Sequence, residues 1–172
     1  MTSVSPWFAR TFDFTVPVDQ YPNVVIRLRG TPARLEELVR DLPDRVRTAT
    51  TGGKWSAQEH TGHLADLEPL WRARVEDFRS ERDLLTVADL TNRKTHQANH
   101  NARPVADILG EFRAARLRLV EALSQLEPAH VARSLVHPRL NQRMRLIDHL
   151  HFVAEHDDHH LAMIWELTGP GR

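Results

Sequence analysis

The segment AEHDDHHLAMI, residues 154–164, carries three histidines and three acids between Glu155 and His160. His156 and His160 are four residues apart, so on a helix they sit one turn apart on one face. Two neutral imidazoles at that spacing can hold one transition-metal ion. At 100° per residue the pair is about 40° apart around the axis, while His159 lies about 60° to the other side of His156. The pair borders an apolar stripe through Leu146, Leu150, Val153, Ala154, Leu161 and Ile164. A polar ring buried there without a partner costs roughly 1–3 kcal/mol. A metal ion or a hydrogen-bond network removes that cost, and so does a position at the solvent edge. Spacing alone leaves these three readings open.

A metal site needs at least one more ligand, and His63 is the candidate. It lies among His60, Leu64 and Leu67 on the apolar face of another helical segment. Three neutral histidines with open coordination positions make a catalytic rather than a structural site. Such a donor set suits zinc, nickel, iron or cobalt better than magnesium or calcium. Asp66 follows His63 by three residues and could orient it or act as a base; a solvated acid or an ion pair with arginine is the competing reading. Asp157 reads as a solvent-facing acid, with a place behind His160 as the alternative. His149 is two turns before His156, too far to share the ion, and could line a pocket. His100 and Asn101 could cover the site or belong to a plain surface loop. Trp55 and Trp71 read as packing residues.

These positions need elements to hold them. Residues 1–20 read as an extended arm, with Phe12, Phe14 and Val16 alternating with polar residues. YPNVVIRLRG and TPARLEELVRDLP read as one broken first helix, with Thr31 as N-cap and Pro32 at the first position of its second half. Ser56 and Glu59 form a capping box, opening a second helix from about Ala57 to Arg79. Residues 81–103 form a long polar connection, uncommon unless functional. A third helix starts near Pro104, with a stripe through Val105, Ile108, Leu109, Phe112, Leu119, Val120, Leu123 and Leu126. The fourth begins near Arg145 and stops before Gly169-Pro170-Gly171. Four long amphipathic helices without strand pairs or repeats predict an all-α four-helix bundle, with longer connections that allow a crossover.

Composition narrows the function. The chain has 172 residues, matching one domain, with residues 21–168 as the bundle. It has no cysteine, which excludes disulfides, thiolate ligands and a protein-borne thiol nucleophile and fits a cytoplasmic location. Formal net charge is zero, without the basic excess that phosphate recognition needs, so no nucleic-acid partner is expected. No signal-peptide pattern and no membrane-length apolar run is present. Ser56 is not in a nucleophile elbow, and there is no phosphate-binding or dinucleotide glycine pattern.

GGKWSAQEHTGHLADLE, followed much later by MRLIDHLHFVAEHDDHHLAMI, resembles the DinB-like (YfiT-like) superfamily over about Tyr21 to Leu167. DLTNRKTHQANHN also resembles one branch of it. The resemblance implies an up-down-down-up four-helix bundle and a metal held by His63, His156 and His160. The ion would be divalent, zinc or nickel ahead of iron, cobalt or manganese. It further implies a homodimer, a small-molecule substrate and a link to stress response. Relatives include metal-dependent transferases that use low-molecular-weight thiols of the bacillithiol or mycothiol type. A metal-dependent hydrolase is the alternative, and a metal-binding protein without turnover is a third.

Overall fold

The computed structural model describes residues 3–80 and 82–169. In chain order the regular elements are α1 (Tyr21–Val39), α2 (Asp44–Arg47), α3 (Ala57–Arg79), α4 (Arg93–Gln97), α5 (Val105–Ser124), α6 (Pro128–Ala132), β1 (Ser134–His137), β2 (Gln142–Arg145) and α7 (Leu146–Thr168). The four long helices make the bundle, and α1 packs on α5 and α7 while α3 packs on the same two from the other side. Side-chain pairs give their directions. Tyr21 bonds the Leu123 carbonyl and Arg113 reaches Glu36, so α1 and α5 are antiparallel. Arg27 pairs with Glu155 and Arg34 with Asp158, so α1 and α7 run the same way. Glu68 holds Arg116 and Arg79 reaches the Gln125 carbonyl, so α3 and α5 are also parallel.

Helix α3 has the bounds its capping box predicts: Ser56 accepts from the Glu59 amide, and Glu59 accepts from the Ser56 amide. Helix α1 differs from expectation. It is continuous through Pro32, and Thr31 caps nothing. Pro32 has no N–H to bond the Leu28 carbonyl, and that carbonyl instead accepts from Arg116 at 3.1 Å. The Thr31 hydroxyl bonds Asp157 at 2.8 Å. Tertiary contacts therefore satisfy the groups that would otherwise break the helix. Helix α7 ends at Thr168 and its C-cap is Gly169; Pro170 and Gly171 of the expected stop lie outside the described residues.

A hairpin also stands where only a connection was expected. Strands β1 and β2 pair antiparallel, Ser134 opposite Arg145 and His137 opposite Gln142. Leu85 donates to the Val136 carbonyl and Val136 to the Asp83 carbonyl, which ties the long connection to the hairpin. Four-residue strands carry too little alternation to stand out in sequence. The N-terminal segment is not extended throughout; it contains 3-10 turns at Trp7–Ala9 and Val18–Gln20. Trp7, Phe12, Phe14 and Val16 pack on the bundle core.

The core falls into two apolar clusters. One includes Val24, Leu28, Val75, Phe78, Leu119 and Val153. The other includes Leu35, Val39, Leu64, Phe112, Leu161 and Ile164. Between them in every long helix comes a buried polar residue: Thr31, Glu68, Arg116 and Asp157. Arg116 pairs with Glu68 at 2.6 Å and Asp157 at 2.5 Å. Asp157 is thus fully buried, not solvent-facing as its sequence context suggested, because Arg116 on α5 lies opposite it.

Candidate metal centre

Helix α3 supplies His60 and His63, and antiparallel α7 supplies His156 and His160. All four are buried. His63, His156 and His160 each offer a ring nitrogen, and these atoms lie within 4.8 Å of one another. The Nε2 atoms of His156 and His160 are 3.2 Å apart. Two nitrogens bound at about 2.0–2.1 Å to one tetrahedral zinc would be separated by about 3.3 Å. His156 Nδ1 has no hydrogen-bond partner among the described residues. The donor set and spacing therefore fit a divalent transition metal.

Two side chains set the ring orientations. His63 Nδ1 lies 3.1 Å from Thr95 Oγ1, whose hydroxyl donates to Asp66 Oδ2 at 3.0 Å. With Nδ1–H donated to Thr95, His63 keeps Nε2 free as a ligand. His160 Nδ1 lies 2.8 Å from His60 Nδ1, so a proton on His160 Nδ1 likewise frees its Nε2. Burial pushes His63 down to about 3 and His60 to about 4, and holds His156 and His160 well below the usual value. The imidazoles are neutral, the form that binds metal.

Asp66 is in the orienting position and not among the residues that line the cavity. Its carboxylate also accepts from His100 Nε2 at 2.8 Å. Burial raises its pKa, but the bonds from His100 and Thr95 outweigh that and hold it below the usual range. His100 is packed so closely on α3 that a Cβ at Gly62 would lie 2.3 Å from its ring. Asn101 accepts from Ser56 Oγ. The His100–Asn101 end of the long connection is thus built into the site from behind, and neither residue covers its mouth, while Val87, Leu90 and Asn92 of the same connection line the cavity.

In front of the histidines lies a cavity of about 340 Å³ with mostly apolar walls. Trp55 lies tilted against His63, their ring centroids 4.7 Å apart, and Trp7 stands edge-on to His156 at 5.0 Å. Both tryptophans face the cavity, as does Trp71, so Trp55 and Trp71 do more than pack. His159 lines it too, outside the group of three. His149 does not line it; its ring is enclosed by Trp71, Phe78 and Phe152.

Residues 27–164 match the model of the DinB superfamily. The chain belongs to the DinB superfamily. Among solved structures, this DinB chain is similar to YfiT from Bacillus subtilis, described as a probable metal-dependent hydrolase with an unusual four-helix bundle topology. The TM-score is 0.79 at 20% identity, over 92% of this chain and 91% of that one. At that identity the likeness establishes the fold. No curated protein matches the sequence. No helix among the described residues is long and apolar enough to cross a membrane.

Sequence reasoning missed His60, Thr95 and Trp7. His60 had a visible signal, lying three residues before His63 on the same face. Thr95 and Trp7 had none, because each reaches the site from a segment without helical periodicity.

Proposed function

We propose that this DinB protein is a divalent-metal-dependent enzyme that joins a low-molecular-weight thiol to a small electrophile held in the aromatic cavity. His63, His156 and His160 would hold the ion, with zinc or nickel ahead of iron, cobalt or manganese. The observation that carries this reading is the convergence of three neutral buried histidines on one wall of an apolar cavity. A bound ion supplies Lewis acidity, lowering the pKa of a thiol or water so that the deprotonated nucleophile is present near neutral pH.

The chain's own residues supply the rest. With no cysteine in the sequence, the thiol has to arrive as a small molecule. Trp7, Trp55 and Trp71 exclude water and hold an apolar electrophile. Burial and the charge of Arg10 keep His159 below the usual pKa, so its imidazole is neutral and able to accept the proton that the nucleophile loses. Among the described residues, Asp89 is the one acid in the cavity wall, and its carboxylate is engaged by Thr91 and the Arg93 amide. A carboxylate base beside the histidines is thus lacking, which favours a thiol, acidic enough to need little help, over water.

A hydrolase is the second reading, favoured by the description of YfiT. One experiment separates them. Untagged protein is analysed for metal, loaded, and offered electrophiles with and without thiols, alongside ester and amide substrates. Thiol-dependent conjugation supports the transferase, thiol-independent turnover the hydrolase, and failure to take up metal removes both. The family resemblance also supports a homodimer; a monomeric mass by light scattering at tens of micromolar removes that part.

A further inference from the structure

The cavity has a second polar end. Arg74, on α3, is fully buried. Its Nε donates to the Thr86 carbonyl at 2.9 Å, and its Nη1 lies 3.2 Å from His137 Nε2. Arg139, in the turn between β1 and β2, places its guanidinium over the rings of Phe8 and Phe152. Its Nη2 is buried and has no hydrogen-bond partner among the described residues. Both arginines line the same cavity as the histidines.

Other buried guanidinium groups face acids directly. Arg116 has Glu68 and Asp157, and Arg47 has Asp44. The contacts of Arg74 are a carbonyl and an imidazole, and those of Arg139 are aromatic faces. The acid nearest in charge to Arg74 is Asp77, whose carboxylate is already held by Arg82 and the Thr86 amide. Burial lowers the pKa of Arg74 to about 10 and lowers that of Arg139. A buried Arg74 and a half-buried Arg139 with one enclosed Nη2, neither with a direct carboxylate partner among the described residues, carry an unmet cost, which an incoming anion would relieve.

We propose that Arg74 and Arg139 form an anion subsite, and that the cavity takes a small molecule with an apolar body and a carboxylate at the end away from the histidines. The guanidinium fork matches a carboxylate bidentately. Arg74 lies 5.6 Å from the Trp71 ring, which lies 5.7 Å from the ring of His156. On α7, Phe152 under Arg139 precedes His156 by one turn, about 6 Å of rise. A body of roughly one aromatic ring and a short chain therefore spans the two ends. This inference rests on the cavity being the substrate pocket of the proposed enzyme.

Calorimetric titration of the full chain with 3-phenylpropionate and its neutral amide, in zinc-loaded and chelated forms, tests it without turnover. The acid should bind about tenfold tighter than the amide in both forms. Arg139→Gln should remove most of that preference, and Arg139→Lys should keep part of it. Arg139 sits in a surface hairpin turn, so its substitution tests the subsite even if Arg74→Gln fails to fold. Equal binding of acid and amide overturns the subsite, as does an acid preference that survives Arg139→Gln. A preference confined to the zinc-loaded form places the carboxylate on the ion and overturns it as well. If zinc does not bind, the enzyme reading fails while the chelated arm still decides the subsite.

Discussion

His156 and Asp157 are neighbours on α7, both buried, and they lead opposite lives. Asp157 points toward α1 and α5, where Arg116 and Thr31 satisfy it. His156 points toward α3 and the cavity, and its Nδ1 finds no partner among the described residues. One direction is a polar layer between two apolar clusters, in which Asp157 is fully paired and Glu68 Oε2 alone is left without a partner among the described residues; the other is a neutral wall of imidazoles on a cavity. A buried polar group whose contacts are complete holds the fold together. One whose ring nitrogen converges with those of two other histidines at a cavity marks a place for a ligand.

The strongest way to break this comparison is to open the polar layer around Arg116. Arg116→Met leaves Glu68 and Asp157 buried without their cation. Loss of one partner from such a group costs about 3–5 kcal/mol. Urea denaturation should read a loss of that size, and a change under about 1 kcal/mol would mean that the layer is not a structural unit.

On the open side, His156→Ala or His160→Ala should weaken metal binding by more than about 100-fold while leaving the helical circular dichroism unchanged. His159→Ala should keep the metal, and His159→Gln should lower turnover. Retention of metal by His160→Ala together with its loss in His159→Ala would reverse the assigned faces of α7.

Acid should probe the histidine side without any substitution. His60 and His63 titrate near 4 and 3 in the folded chain because of burial, and His156 and His160 are also lowered. The unfolded chain takes up these protons near pH 6.5, before the folded one does. The contribution of these histidines to the stability of the metal-free protein is therefore complete above about pH 6.5 and falls as pH drops toward 4. Each independently titrating ring contributes up to about 1.4 kcal/mol per pH unit. Denaturation midpoints at pH 7.5, 6 and 5 in the presence of a chelator would check this; a flat profile is the adverse result.

The smallest effects belong to the residues behind the ligands. Thr95→Val and His60→Leu should each lower metal affinity by about tenfold, read by competition with a chromogenic chelator. No change in either variant would mean that the ring orientations are set by packing alone.

Much of the frame was legible in the chain. The Ser56–Glu59 box opens α3 at Ala57, and the stripes of α5 and α7 follow the 3.6-residue period. His156 and His160 share a face because local geometry leaves them no choice. The same periodicity hid Arg116 and Glu68, which sit on the apolar stripes of α5 and α3, at the gaps between Phe112 and Leu119 and between Leu64 and Trp71. A charge in an apolar stripe reads as an interruption until its partner on another helix is known.

Helix period, caps and composition are local quantities, so the amino-acid order determined the long helices, the facing pair on α7 and the need for an external thiol if one is used. Which helix each face meets is non-local. Only the packed bundle brought His63 to that pair, gave Asp157 to Arg116, carried α1 through Pro32 by lending its orphaned carbonyl a guanidinium, and folded Trp7, Thr95 and Arg139 around one cavity. Those contacts join residues tens of positions apart, and no spacing rule within a single element encodes which of them will meet.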